Sequence, residues 1–256
     1  MMLRDFHMHT TYCDGRNSAE EMVLAAIEKG MTHIGICIHS HTAFDERYCV
    51  KKANIQGFQA EIAALKEKYK DKIVLLCGVE QDYFGTESTE GFDYALGSVH
   101  YVKKGDVYID VDWNADYLQD EIKKHYGSDV LGFAEDYFAL VGDVLRVTGA
   151  DIIGHFDLLT KFNEKTPIFD ENHPRYIAAW QNAMDKLLPY NRPFEINTGA
   201  ISRGYRTTPY PSKVQLEYIY KNGGKIILCS DAHSTDSLCC NYNEAAALAR
   251  EIGFEI

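Results

Sequence analysis

Short apolar runs alternate with amphipathic stretches along almost the whole chain. LRDFHMH at the start reads as a strand, and SAEEMVLAAIEKG after it reads as a helix. Ser18 is placed to cap that helix, Glu21 three residues later closes a capping box, and Gly30 stops it. The pattern then repeats. THIGICIH predicts a second strand, KKANIQGFQAEIAALKEKYK a second helix, KIVLLCGVE a third strand and YALGSVH a fourth. A long, mostly helical stretch follows between about Trp113 and Thr148. ADIIGHF then predicts a fifth strand, HPRYIAAWQNAMDKLL a helix, PFEINT a sixth strand, SKVQLEYIYKNGG a helix, KIILCSD a seventh strand and NEAAALAREIG the last helix.

Seven strands, each followed by helical material, predict an α/β fold with a parallel sheet, and right-handed crossovers let such a sheet curl into a barrel. No internal repeat, low-complexity tract or linker interrupts the 256 residues, so residues 1–256 are expected to form one domain. The hydrophobic share of 46% and charged share of 25% are those of an ordinary globular chain. No apolar run reaches the roughly 20 residues of a membrane span, and the start has no signal-peptide pattern. The expectation is a cytoplasmic protein with no membrane association and no obligate protein partner. Seven cysteines lack the paired spacing of a structural zinc site; Cys37, Cys77 and Cys229 sit in apolar runs and are expected to be buried thiols. A net charge of −12 argues against nucleic acid, whose phosphates require clustered basic residues. It leaves open a small anionic substrate, because bound cations can make a site positive inside an acidic protein.

The candidate chemistry lies at the strand ends. His7 and His9 stand two apart on an extended segment, so both imidazoles face one way. His39 ends the second strand, Glu80 the third, His100 the fourth and His155 the fifth, while Asp231 and His233 end the seventh. In a barrel these ends converge on one face, where active sites are built. His33, His125 and His173 fall elsewhere and are expected to be solvated or locally bonded. His41, in the loop after His39, is a candidate for the edge of the site.

The set HMH, Asp14, His39, GVE at Glu80, GSVH at His100, GHFD at His155, EINT around Asn197 and SDAH at Asp231 and His233 resembles the polymerase-and-histidinol-phosphatase (PHP) superfamily, and within it the histidinol-phosphate phosphatases. The resemblance implies a distorted seven-stranded (β/α)7 barrel, similar to a TIM barrel, with three divalent metal ions. It assigns one ion to His7, His9, Glu80 and Asp231, a second to Glu80, His100 and His155 with Glu80 bridging, and a third to Asp14, His39 and His233. Glu80, Asp231 and His233 would form the catalytic centre. Imidazole and carboxylate ligands suit zinc, iron or manganese. The chain departs from the pattern at Ile38, where related sequences often carry an acid; His41 could compensate.

Clustered cations would make hydroxide available near neutral pH and neutralise phosphoryl oxygens, the two requirements for cleaving a phosphate monoester dianion. The resemblance therefore implies hydrolysis of L-histidinol phosphate to L-histidinol and phosphate. Lys161, Arg203 and Arg206 are the expected phosphate donors, and His41 a substrate-facing residue. Asp157 and Glu195 are candidates for an acidic wall facing the substrate amine. Other readings are a phosphoesterase acting on a nucleotide, a different small phosphate or a short oligonucleotide, a non-catalytic PHP module, and an amidohydrolase, which also opens with HxH.

Overall fold

The structure is a computed structural model that describes residues 3–256. In chain order its elements are β1 (Arg4–Asp5), α1 (Ala19–Glu28), β2 (His33–His39), α2 (Ile55–Tyr69), β3 (Val74–Asp82), β4 (Tyr94–Ser98), β5 (Tyr101–Lys104), β6 (Val107–Asp110), α3 (Ala115–Tyr126), α4 (Val130–Val141), α5 (Val144–Thr148), β7 (Ile152–Ile153), α6 (Pro174–Leu187), β8 (Pro193–Asn197), α7 (Gly199–Ser202), α8 (Lys213–Lys221), β9 (Lys225–Cys229) and α9 (Tyr242–Ile252). Seven strands make one parallel sheet in the order β1-β2-β3-β4-β7-β8-β9. Its two ends meet through a parallel bridge between Met8 and Ala232, with His9 N–H donating to the Ala232 carbonyl at 2.8 Å. The sheet is thus a nearly closed barrel, as the alternation of elements predicts.

Local chemistry accounts for these elements. Ser18 caps α1 and forms the expected capping box with Glu21, and Gly30, at φ 73°, turns the chain out of the helix. The inner residues of β2 and β3 include Gly35 and Gly78, where an added Cβ would collide with the Tyr94 ring. The missing side chains let Tyr94 lie across the barrel interior, its hydroxyl donating to the Phe6 carbonyl at 2.6 Å. Phe6, Cys37, Leu76, Leu96, Ile152 and Ile227 pack with it and floor the site. The outward residues Ile34, Ile36, Ile38, Leu75 and Val79 belong to the larger core beneath the helices.

Three differences from the sequence expectation matter. β1 is two residues long rather than seven, and β7 is also two, so His7, His9 and His155 lie on the irregular segments that follow these strands. β3 continues past Glu80 to Asp82. The segment after β4 is an antiparallel hairpin of β5 and β6, turning at Gly105 with φ 60°, before the helical stretch begins. Among the described residues no helix is long and apolar enough to cross a membrane. Cys37, Cys77 and Cys229 are buried, and all seven cysteines are free.

Candidate metal centre

Glu80 stands at the centre of the barrel mouth with 1% of its surface exposed. Register in the sheet sets His39 beside it on β2. One carboxylate oxygen, Oε2, lies 2.8 Å from His39 Nδ1, 3.2 Å from His7 Nε2 and 3.4 Å from His9 Nε2. The other, Oε1, lies 2.8 Å from His155 Nε2 and 3.2 Å from His100 Nε2. Asp231 Oδ1 is 3.6 Å from both His7 Nε2 and His9 Nε2. Asp14 sits at the outer edge, 3.5 Å from His39 Nε2 and 3.1 Å from His233 Nε2. All eight residues expected at the strand ends, and Asp14 with them, therefore meet in one cluster.

The donor atoms fall into overlapping sets. Among the described residues, His9, Asp14, His39 and His233 form one, His7, His9 and Glu80 a second, and His39, Glu80 and His100 a third, with the ligand atoms of each set within 4.8 Å of one another. His7 Nε2, His9 Nε2 and Glu80 Oε2 are buried without a hydrogen-bond partner. Buried polar atoms are ordinarily paired, so three orphans aimed at one point fit a cation held among them. The electrostatics agree. Burial opposes charge on Glu80, but His39, His7 and His100 overcome it and hold the carboxyl well below its usual range. Burial, with His39 and His233, pushes His9 down to about 3, leaving the neutral imidazole that a metal requires.

Outer partners fix the ligands. His7 Nδ1 is 2.6 Å from Glu195 Oε1, and His100 Nδ1 is 3.1 Å from Asp82 Oδ2. Such carboxylate–histidine pairs set the tautomer and orientation of a metal ligand. Asp82 carries a signal the strand reading missed: it follows Glu80 by two residues on the same face of β3. Glu195 corrects an expectation. It is fully buried, accepts from His155 N–H at 2.7 Å and from Asn197 Nδ2 at 3.1 Å, and forms no wall of the cleft.

The cluster opens into a cleft of about 320 Å³ lined by Asp14, His39, Tyr48, Glu80, His100, Asp110, Asp112, Trp113, His155, Lys161, Arg203, Asp231 and His233, among others. Lys161 reaches it from the turn after His155, its Nζ donating to the Asp112 carbonyl at 2.8 Å and lying 3.1 Å from Asp112 Oδ2. Arg203 Nη2 donates to Asp231 Oδ2 at 2.9 Å. Arg206 does not enter the cleft. It is buried behind it, donating to the Thr160 carbonyl at 3.1 Å and to the Thr208 carbonyl at 3.3 Å. His41 is also outside, its Nδ1 turned 3.2 Å from the Val50 carbonyl and its Nε2 3.7 Å from Glu46. It cannot compensate for Ile38, which alternation points into the outer core, away from the site. Asp157 is fully buried and likewise lies outside the cleft. His173 caps α6, His125 pairs with Glu121 and His33 bonds Thr32, as expected of bystanders.

The acidic wall comes instead from the hairpin and the segment after it. Asp110 and Asp112 line the same cleft as the histidine–carboxylate cluster, with the Arg47 guanidinium 2.8 Å from Asp110 Oδ2 and stacked 3.7 Å over the Trp113 ring. Burial and the neighbouring Asp112 charge push Asp110 up to about 7. Asp112 moves the other way: burial opposes its charge, but Lys161 and His100 hold it well below the usual range.

A protein named "Probable histidinol-phosphatase" from Schizosaccharomyces pombe is 26% identical, over 96% of this chain and 86% of its own length. The histidinol-phosphatase of Bacillus subtilis is 22% identical, over 91% of this chain and 94% of its own. Among solved structures, the histidinol phosphate phosphatase of Lactococcus lactis, crystallised with zinc, L-histidinol and phosphate, superposes with a TM-score of 0.77 at 22% identity, covering 99% of this chain and 95% of the other. Residues 5–199, well over half of the chain, match the PHP domain family. The chain is a member of the PHP domain family.

Proposed function

We propose that this protein is a metal-dependent phosphomonoesterase that hydrolyses L-histidinol phosphate to L-histidinol and inorganic phosphate. The observation that carries the reading is the gathering of nine nitrogen- and oxygen-donor side chains in one cluster centred on Glu80, with the cations Lys161 and Arg203 lining the same cleft. The names of the two relatives and the zinc, L-histidinol and phosphate of the Lactococcus neighbour point to the same reaction. We assign His7, His9, Glu80 and Asp231 to one ion, Glu80, His100 and His155 to a second, and Asp14, His39 and His233 to a third, the ions being zinc, iron or manganese. The short contact of His39 with Glu80 makes the second and third groups neighbours. Divalent ions, when bound, supply a water of lowered pKa and positive charge for the phosphoryl oxygens.

The chain's own residues do the rest. Lys161 and Arg203 are the donors we assign to the phosphoryl oxygens. Lys161 acts as a point charge, whereas Arg203, clamped on Asp231, presents its guanidinium beside the ligands. Asp110 and Asp112 suit the amine of the substrate, replacing Asp157 and Glu195 in that role. We take the whole chain to work as one domain in the cytoplasm; seven free thiols suit a reducing compartment. The test is a steady-state screen of phosphate esters on metal-analysed protein. Histidinol phosphate is expected to show the highest kcat/KM. Preference for another small phosphate ester would keep the phosphoesterase and discard the substrate, and inactivity on every phosphate ester would discard both.

A further inference from the structure

The metal centre straddles the barrel seam. His7 and His9 follow the first strand, and Asp231 and His233 the last, yet those two strands share no ladder. β1 stops at Asp5 and β9 at Cys229, and the backbones meet only beyond them, at the isolated Met8–Ala232 bridge, where Ala232 N–H donates to the His7 carbonyl at 3.3 Å and His9 N–H to the Ala232 carbonyl at 2.8 Å. In the gap, Asp231 turns through the left-handed region at φ 49°, a conformation that a non-glycine residue holds only when its surroundings impose it.

Ahead of that bridge the seam is spanned by the Asp5 side chain. The Asp5 carboxylate, fully buried, accepts from His7 N–H at 3.1 Å through Oδ1 and from Ser230 N–H at 3.2 Å through the same oxygen. Its Oδ2 accepts from the Ser230 hydroxyl, itself fully buried. A carboxylate withdrawn from water is costly unless donors surround it, and here the donors are the backbone of one expected ligand and the residue immediately before another. Asp5 thus grips both sides of the seam at the points where the chain departs toward His7 and Asp231.

We propose that Asp5 is a positioning residue of the metal centre, its carboxylate standing in for the missing strand ladder and holding His7 and Asp231 at a fixed separation. The inference rests on the metal reading above. It differs from a plain role in closing the barrel, which would lower stability equally with and without metal.

The two are separated by measuring zinc affinity, by competition with a chromophoric chelator, and the melting temperature of stripped and zinc-loaded protein. Asp5→Ala is expected to bind zinc about 10- to 100-fold more weakly, as for removal of other outer partners of metal ligands, and to lose most of the zinc-induced rise in Tm. Asp5→Asn keeps an oxygen acceptor for both N–H groups and is expected to restore affinity most of the way. An Asp5→Ala protein with wild-type zinc affinity, its Tm lowered equally in both states, would overturn the proposal. Should Asp5→Ala fail to fold, Ser230→Ala removes only the hydroxyl donor; weakened zinc binding supports the proposal and unchanged binding overturns it. A wild-type protein that takes up no zinc, iron or manganese would instead sink the metal reading itself.

Discussion

Glu195 Oε1 lies 2.6 Å from His7 Nδ1, and both side chains are fully buried. The pair turns His7 Nε2 toward Glu80 and leaves it without a hydrogen-bond partner, ready for a cation. Glu195→Gln keeps the volume and removes the charge that orients the ring. Its expected result is a folded protein whose metal affinity falls about tenfold or more, read by chelator competition, with the circular dichroism spectrum unchanged. Unaltered affinity would reduce Glu195 to a structural acid.

Glu80 is the stronger test of the ligand set. Its two oxygens contact five imidazoles, so Glu80→Gln removes the charge that ties the sets together. The expected outcome is loss of at least one metal per chain by elemental analysis, with phosphatase turnover lowered by roughly three orders of magnitude or more. Wild-type metal content and turnover in this variant would show that the bridge assignment is wrong.

Lys161 and Arg206 should separate cleanly. Lys161→Ala is expected to raise KM or lower kcat about 10- to 100-fold, the worth of a hydrogen bond to a charged group, while metal content stays intact. Arg206→Ala removes donors to Thr160 and Thr208 behind the cleft, so it is expected to lower unfolding free energy by about 1–3 kcal/mol with KM unchanged. Equal kinetic damage in both would return Arg206 to the substrate.

The acidic wall makes a pH prediction. Asp110 is pushed up to about 7 by burial and by Asp112, so its negative charge is absent well below that pH and present above it. If that charge holds the substrate ammonium, KM for histidinol phosphate falls as pH rises from about 6 to 8. A phosphate ester without an amine shares the phosphate titration and lacks this gain, so the ratio of the two KM values isolates Asp110. A ratio independent of pH, or one unchanged by Asp110→Asn, would remove Asp110 from recognition.

Legibility followed the backbone. His7, His9, His39, Glu80, His100, His155, Asp231 and His233 could be found because strand periodicity marks where a strand ends, and a parallel barrel brings such ends together. Arg206 and His41 were misplaced because they lie on loops, where spacing says nothing about direction: one turns behind the cleft to Thr160, the other to Val50. Asp110 and Asp112 went unnoticed with the hairpin that carries them. Its signal is present, since Val102 and Ile109 are buried while Lys103 and Lys104 are exposed across a Gly-Asp turn. Glu195 and Asp5 are acids in apolar strands whose partners lie 188 and 225 residues away, at distances no local pattern encodes.

The seam between β1 and β9 also dictates when the centre can exist during synthesis. Asp5 and Ser230 are joined across 225 residues, so the chain as far as His233 must leave the ribosome before His7 and His9 meet Asp231 and His233. Until then His7 and His9 are a bare pair of imidazoles on an emerging segment, without the acid that completes their set. Metal capture by the full set is therefore expected to be a late event, following closure of this long loop rather than guiding the first strands into place. A circular permutant that joins the present ends and opens the chain at the surface between α3 and α4 would make β9 and β1 neighbours in sequence, and would be expected to acquire metal earlier in refolding than the natural order does.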